Sequence, residues 1–148
     1  MQEVKELIDL IHSELKPLGY KKKDRKWSIE TEELVKGVDI QRSNFSKLYY
    51  INYGFIIKGL DLGDWYHHYS YRLSSITSEE NQFVKTFLDF ENQENTDVVR
   101  FTEILRKNMI AELNSINTIM DLRGHILEDQ RRSVMLTQAT KKFLDIEI

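Results

Sequence analysis

Between Leu48 and Lys58 the chain alternates with a period of two, and the alternation puts Tyr49, Ile51, Tyr53, Phe55 and Ile57 on one side. Successive side chains of a strand point to opposite faces, so this run is a strand with one strongly apolar face. Such a strand needs partners on both edges and a cover over its apolar side. Its patterning is the strongest in the chain, which predicts a central place in a sheet.

The flanking segments supply the partners. A first strand is predicted from about Lys22 to Glu30, with Trp27 and Ile29 on one face. The polar turn Thr31-Glu32-Glu33 follows. A second strand is expected from about Leu34 to Arg42, with Val38 and Ile40 inward. Gly37 in its middle points to a bulge or a close backbone approach. Ser43 to Lys47 is a second turn. Beyond the loop marked by Gly59, Asp61, Gly63 and Asp64, a fourth strand is expected from about Trp65 to Leu73. There Tyr69, Tyr71 and Leu73 alternate with Tyr66, His68, Ser70 and Arg72, the pattern of an antiparallel sheet wetted on one side.

Helices are predicted on both sides of this meander. Val4, Leu7, Ile8, Ile11, Leu15 and Leu18 recur at steps of three and four, one apolar stripe on a helix that Pro17 and Gly19 end. The segment Phe83 to Phe90 fits either a fifth strand (Val84, Thr86, Leu88, Phe90) or a short helix (Phe83, Phe87, Phe90), with strand preferred. Thr96 or Asp97 is expected to cap a helix carrying Phe101, Leu105, Met109 and Leu113 along one side. An interruption at Asn114 to Asn117, a short helix over 119–126 and a last helix over 129–144 complete the chain. The expected fold is α+β: an N-terminal helix, an antiparallel four- or five-stranded meander, and two or three C-terminal helices packed on one sheet face, all in a single domain over 1–148.

Composition narrows the chemistry. The chain has 148 residues, 21 basic and 24 acidic, with a net charge of −3 and no cysteine. Thiolate chemistry and Cys-ligated zinc are excluded, and no disulfide is needed for stability at this size. The charge balance disfavours a dedicated DNA binder, because such domains carry a basic excess. No apolar run reaches the roughly 20 residues that span a bilayer, and the N-terminus lacks a signal-peptide pattern, so a cytoplasmic protein without membrane contact is expected.

Two constellations stand out. His68 and Arg72, four apart on a strand, are expected to share a face with Tyr66, and a His/Arg pair suits a phosphate or carboxylate. The alternative is that Arg72 pairs with an acid such as Asp39 across the sheet. His67, adjacent to His68, points the other way, so the two cannot chelate one metal. Lys21-Lys22-Lys23, Arg25, Lys26, Trp27 and Arg42 mix cations and an aromatic, a combination that binds a nucleic-acid backbone and stacks a base. The competing account has the lysines guarding a strand edge and the aromatics filling the core. No Gly-x-Ser-x-Gly elbow, Gly-rich phosphate loop or carboxylate pair is present. No metal and no cofactor is expected.

Four blocks in order carry a family likeness: Leu15 to Lys23 with Arg25 and Trp27; Val38 to Ser43; Tyr50 to Gly54; and His68 to Leu73. The chain resembles the bacterial domain-of-unknown-function family 4304, whose members read similarly to "LKPLGFKKKGR-W", "VVNLQKS" and "FYVNLGV". Arg42 stands where lysine is usual, and Tyr69-Ser70-Tyr71 replaces a more polar version of the fourth strand. The resemblance implies an α+β domain in a bacterial cytosolic protein, and it implies no activity.

The leading expectation is a non-enzymatic module that binds an unidentified protein partner through the wet sheet face, with Tyr66, His68, Arg72, Arg42, Lys22 and Arg25 as candidate contacts. By analogy of fold class alone, immunity-like blocking of a partner is one form of this. The alternatives are a nucleic-acid or nucleotide-binding domain using the basic and aromatic first strands, and a small enzyme. Nothing in the pattern sets an oligomeric state.

Overall fold

The computed structural model describes residues 3–63, 66–91 and 97–146. Asp64, Trp65 and Thr96, which the sequence places in a loop, at a strand start and at a helix cap, lie outside them.

Helix α1 (Val4–Leu15) buries Leu7, Ile11 and Leu15 and leads into a 3-10 turn, Lys16–Leu18, closed by Gly19 in the left-handed region (φ 96°). Five antiparallel strands follow in sequence order: β1 (Lys21–Lys23), β2 (Lys26–Glu30), β3 (Leu34–Arg42), β4 (Tyr49–Ile57) and β5 (Tyr69–Arg72). The single first strand expected over Lys22 to Glu30 is a tight hairpin instead. Lys23 pairs with Lys26, and Asp24 makes the turn at φ 57°. A short polar side chain that bonds locally tolerates this conformation better than most. β3 and β4 pair over nine positions without a register break, from Leu34 opposite Ile57 to Arg42 opposite Tyr49. Gly37 is therefore no bulge.

Five α-helices follow the sheet among the described residues. Of the segment preferred as a fifth strand, Phe83 to Phe90, the part through Phe87 belongs to α2 (Ser78–Phe87), and beyond it Asp89 makes an isolated bridge to Leu48. The reason is local. Thr77 accepts a hydrogen bond from the Glu80 amide, satisfying an amide proton at the helix start, while Phe83, Val84 and Phe87 share the buried face. Asp97 caps α3 (Val98–Leu105), which continues through a π-helical turn, Arg106–Ile110, into α4 (Ala111–Ser115). Phe101, Leu105, Met109 and Leu113 are all buried along this rod. Helix α5 (Ile119–Leu127) opens on a capping box between Thr118 and Asp121. The long last helix expected over 129–144 is a 3-10 turn, Gln130–Ser133, followed by α6 (Gln138–Phe143).

The core lies between these helices and one sheet face. Trp27, Val38, Ile40, Tyr49, Ile51, Tyr53, Phe55 and Ile57 are all buried there. Polar ties cross the layer. The buried Lys36 donates from Nζ to the Leu113 carbonyl (2.6 Å) and to Asn117 Oδ1 (2.7 Å), placing a cation at the C-terminal end of α4. Burial lowers the pKa of this ammonium, and Asp121 opposes the shift. Tyr53 donates to Glu112, whose other oxygen stands 2.6 Å from His125 Nε2 without hydrogen-bond geometry. Burial and the adjacent Glu112 push the Tyr53 phenol well above the ordinary tyrosine range. No helix among the described residues is long and apolar enough to cross a membrane.

Candidate binding face

The register lines up the other face of the sheet in rows. One row crosses all five strands: Lys23, Lys26, Asp39, Asn52 and Arg72. The next contains Ser28, Gly37, Gly54 and Ser70, so two glycines stand side by side on the two central strands. A third brings Val35 beside Ile56, both half-buried.

The paired glycines make a notch, and His67 fills it. A Cβ added at Gly54 would stand 2.7 Å from His67 Cγ and 2.8 Å from the Tyr69 carbonyl oxygen; one added at Gly37 would stand 3.0 Å from His67 Nε2. The imidazole thus spans the notch, Cγ over Gly54 and Nε2 over Gly37. Neither glycine has a positive φ, so space rather than backbone freedom requires them. Burial pushes the His67 imidazole below its ordinary pKa; Asp39 opposes this, while Lys26 and His68 reinforce it. The resulting ring is held neutral on the floor of the face.

His68 does something else. It is 6% exposed. Its Nδ1 accepts from the Ile57 amide (2.8 Å) and its Nε2 lies 3.1 Å from the Asp61 carbonyl oxygen, so Nε2 carries the proton. The expected shared face of His68 and Arg72 is therefore not formed. Strand β5 begins only at Tyr69, and the His68 ring caps the end of β4 instead of following the alternation.

Arg72 is set by a network. Its Nε donates to Asn52 Oδ1 (3.3 Å) and its Nη2 to Gln41 Oε1 (3.4 Å), while Asn52 Nδ2 donates to Asp39 Oδ1 (3.0 Å) and to Gln41 Oε1 (2.9 Å). Asparagine thus stands between Arg72 and Asp39, where a direct ion pair was the alternative expectation. The guanidinium carbon lies 3.8 Å from the Tyr50 ring centroid, a cation–π contact. On the opposite side of the face, Lys26 Nζ lies 5.9 Å from the ring centroid of Tyr66, which is 85% exposed.

His67, Asn52, Arg72, Lys26 and Tyr66 line an open groove of about 1150 Å³, to which the β1–β2 hairpin and Met135 also contribute. Five cations border it (Lys21, Lys23, Arg25, Lys26, Arg72) against two acids (Asp24, Asp39), although the whole chain is acidic. Of the candidate contacts, Tyr66, Arg72 and Arg25 line the groove. Lys22, paired with Trp27, and Arg42, whose Nε donates to the Ser46 carbonyl at the far end of β3, have the opposite strand parity and do not. Trp27 is buried, and its indole N–H donates to His12 Nδ1 (3.1 Å), so it cannot stack a base. No group of three His, Cys, Asp or Glu side chains able to hold a metal ion occurs among the described residues.

Lys26 belongs to the basic cluster read from the sequence and His67 was placed opposite His68, whereas Asn52 was not singled out. The available signal was Gly37: the group that approaches it closely is the His67 ring rather than the backbone expected, and its register partner is the second glycine of the notch.

No curated protein and no solved structure matches the chain. A family model does, over residues 11–115, and so takes in the whole sheet and the helices through α4. That span exceeds half of the sequence, and the chain belongs to the family described as a domain of unknown function, DUF4304.

Proposed function

We propose that this chain is a non-enzymatic, protein-binding module of the bacterial cytosol that works through the uncovered face of its sheet. The observation that carries the reading is the groove, in which Arg72 and Lys26 are already seated against Tyr50 and Tyr66. Arginine and tyrosine dominate the energetics of protein interfaces because they bury much area and still satisfy a polar tip. A pre-set guanidinium also loses little side-chain freedom on binding.

The nucleic-acid alternative is supported by the same cations but lacks its stacking residue, since Trp27 is in the core. The test is the double substitution Tyr66→Ala and Arg72→Ala. Both side chains are exposed, so the expected result is an unchanged unfolding midpoint with loss of partner capture on co-purification. Unfolding of the double variant would make the two residues structural; retained capture would move the interface elsewhere.

A further inference from the structure

We infer that the groove takes an extended acidic polypeptide segment with two carboxylates four residues apart. This rests on the binding role proposed above and gives the partner a chemistry.

The first support is charge placement. Lys23 and Lys26 are direct cross-strand partners on the same face, and like charges so placed repel. Among the described residues, no acid makes an ion pair with either. Asp39, opposite Lys26 on β3, offsets part of that repulsion, and a carboxylate from outside would relieve the rest. Arg72 forms the second pole, with only two of its five N–H groups bonded among the described residues.

The second support is spacing. Lys26 on β2 and Arg72 on β5 lie in one row, three strand intervals apart. Three intervals are about 14 Å. Four residues of extended chain cover about 13–14 Å, and side chains at i and i+4 of such a chain point the same way. A segment crossing the strands along this row would meet the lysine pair with one acid and Arg72 with the other. The side chain midway between them would face Asp39 and Asn52, so it would not be a third acid.

The third support separates polypeptide from nucleic acid. The two tyrosines on this face already carry cations, Arg72 over Tyr50 and Lys26 over Tyr66. A base stacking on the cation-bearing side of either ring would have to displace that cation, whereas a carboxylate meets the same cations from outside and leaves them in place.

Two labelled peptides of identical composition test this, one with glutamates four apart around a valine and one with glutamates three apart. By fluorescence anisotropy at fixed salt, the first is expected to bind at least about tenfold more tightly. Lys26→Ala and Arg72→Ala should each reduce it to the level of the isomer. Arg72→Lys, which keeps the charge but loses the planar fork, should fall between. Amide chemical-shift changes should centre on Asp39, Asn52 and Arg72, the row that the segment crosses. Equal binding of the two isomers would overturn the inference as unspecific charge attraction, and so would no binding of either up to about 1 mM. Displacement of the peptide by a uridine oligonucleotide would overturn it in favour of nucleic acid. If the peptides fail while Tyr66→Ala/Arg72→Ala still abolishes capture of the native partner, the binding face stands and only its acidic chemistry falls. If capture also survives that double substitution, both fall.

Discussion

The two faces of this sheet are built by opposite means. The covered face is made of bulk: Phe55, Ile51, Ile57 and Trp27 interlock with the helices, and Phe87 stacks on Phe101 at 4.1 Å between ring centroids. The uncovered face is made by removing side chains. Gly37 and Gly54 hollow out its centre so that a ring delivered from the β4–β5 connection can lie on the backbone. Bulk announces itself in a sequence as periodicity; a hollow does not, because its meaning depends on what fills it. Stability in this molecule therefore resides on one side, and selective contact is expected on the other.

Neighbouring residues of β4 sharpen the contrast most. Phe55→Ala should cost about 3–5 kcal/mol, as truncation of a fully buried aromatic does, whereas Ile56→Ala on the opposite face should cost about 1 kcal/mol or less. Chemical denaturation of the two variants reads the difference directly. Equal costs would mean that the second face is also buried, by contacts absent from this fold.

A smaller effect is expected at the notch. Gly54→Ala drives a methyl into the Tyr69 carbonyl oxygen as well as His67, and overpacking of this kind costs about 1–3 kcal/mol. Gly37→Ala meets only the tip of the imidazole and should cost less. His67→Ala should largely relieve Gly37→Ala but not Gly54→Ala, where the backbone contact remains, so the two double-mutant cycles should differ. On the covered face, Lys36→Met leaves the Leu113 carbonyl and the Asn117 side chain without their donor, worth about 1–3 kcal/mol by equilibrium unfolding.

The smallest effect is expected with pH. The folded state holds His67 neutral, so the unfolded chain binds more protons near the ordinary imidazole pKa of 6.5. This contribution to stability is complete above that value and is lost as pH falls through the lower folded-state pKa. His67→Asn should flatten that part of the stability–pH curve. An unchanged slope would place the imidazole in water.

Much of this was legible beforehand, for physical reasons. The alternation of Tyr49 to Ile57, and the matching positions Trp27, Ile29, Val38 and Ile40, are needed by any chain that roofs one sheet face with helices, and they set strands β2 to β4. The hairpin at Asp24-Arg25 was hidden because the run from Lys21 to Lys26 is polar throughout, so no period marks the break. Helix α2 was misread because Phe83, Val84, Thr86, Leu88 and Phe90 satisfy two periods at once. Thr77 and Glu80, just upstream of Phe83, carried the deciding helix-start signal. At the face itself, Tyr66, Arg25 and Arg72 were recoverable from alternation and charge. Which of two adjacent histidines would lie in the groove was not, since their chemistry is identical and only the end of β4 distinguishes them.

The claim that the uncovered face is the working surface is tested most directly by two exposed aromatics. Tyr66 borders the groove; Phe45, 97% exposed in the β3–β4 turn, does not. A photo-crosslinking phenylalanine analogue placed at each position in turn, in the cells that express the protein, should give a covalent protein adduct from position 66 and none from position 45. An adduct from position 45 alone, or equal yields from both, would contradict the account.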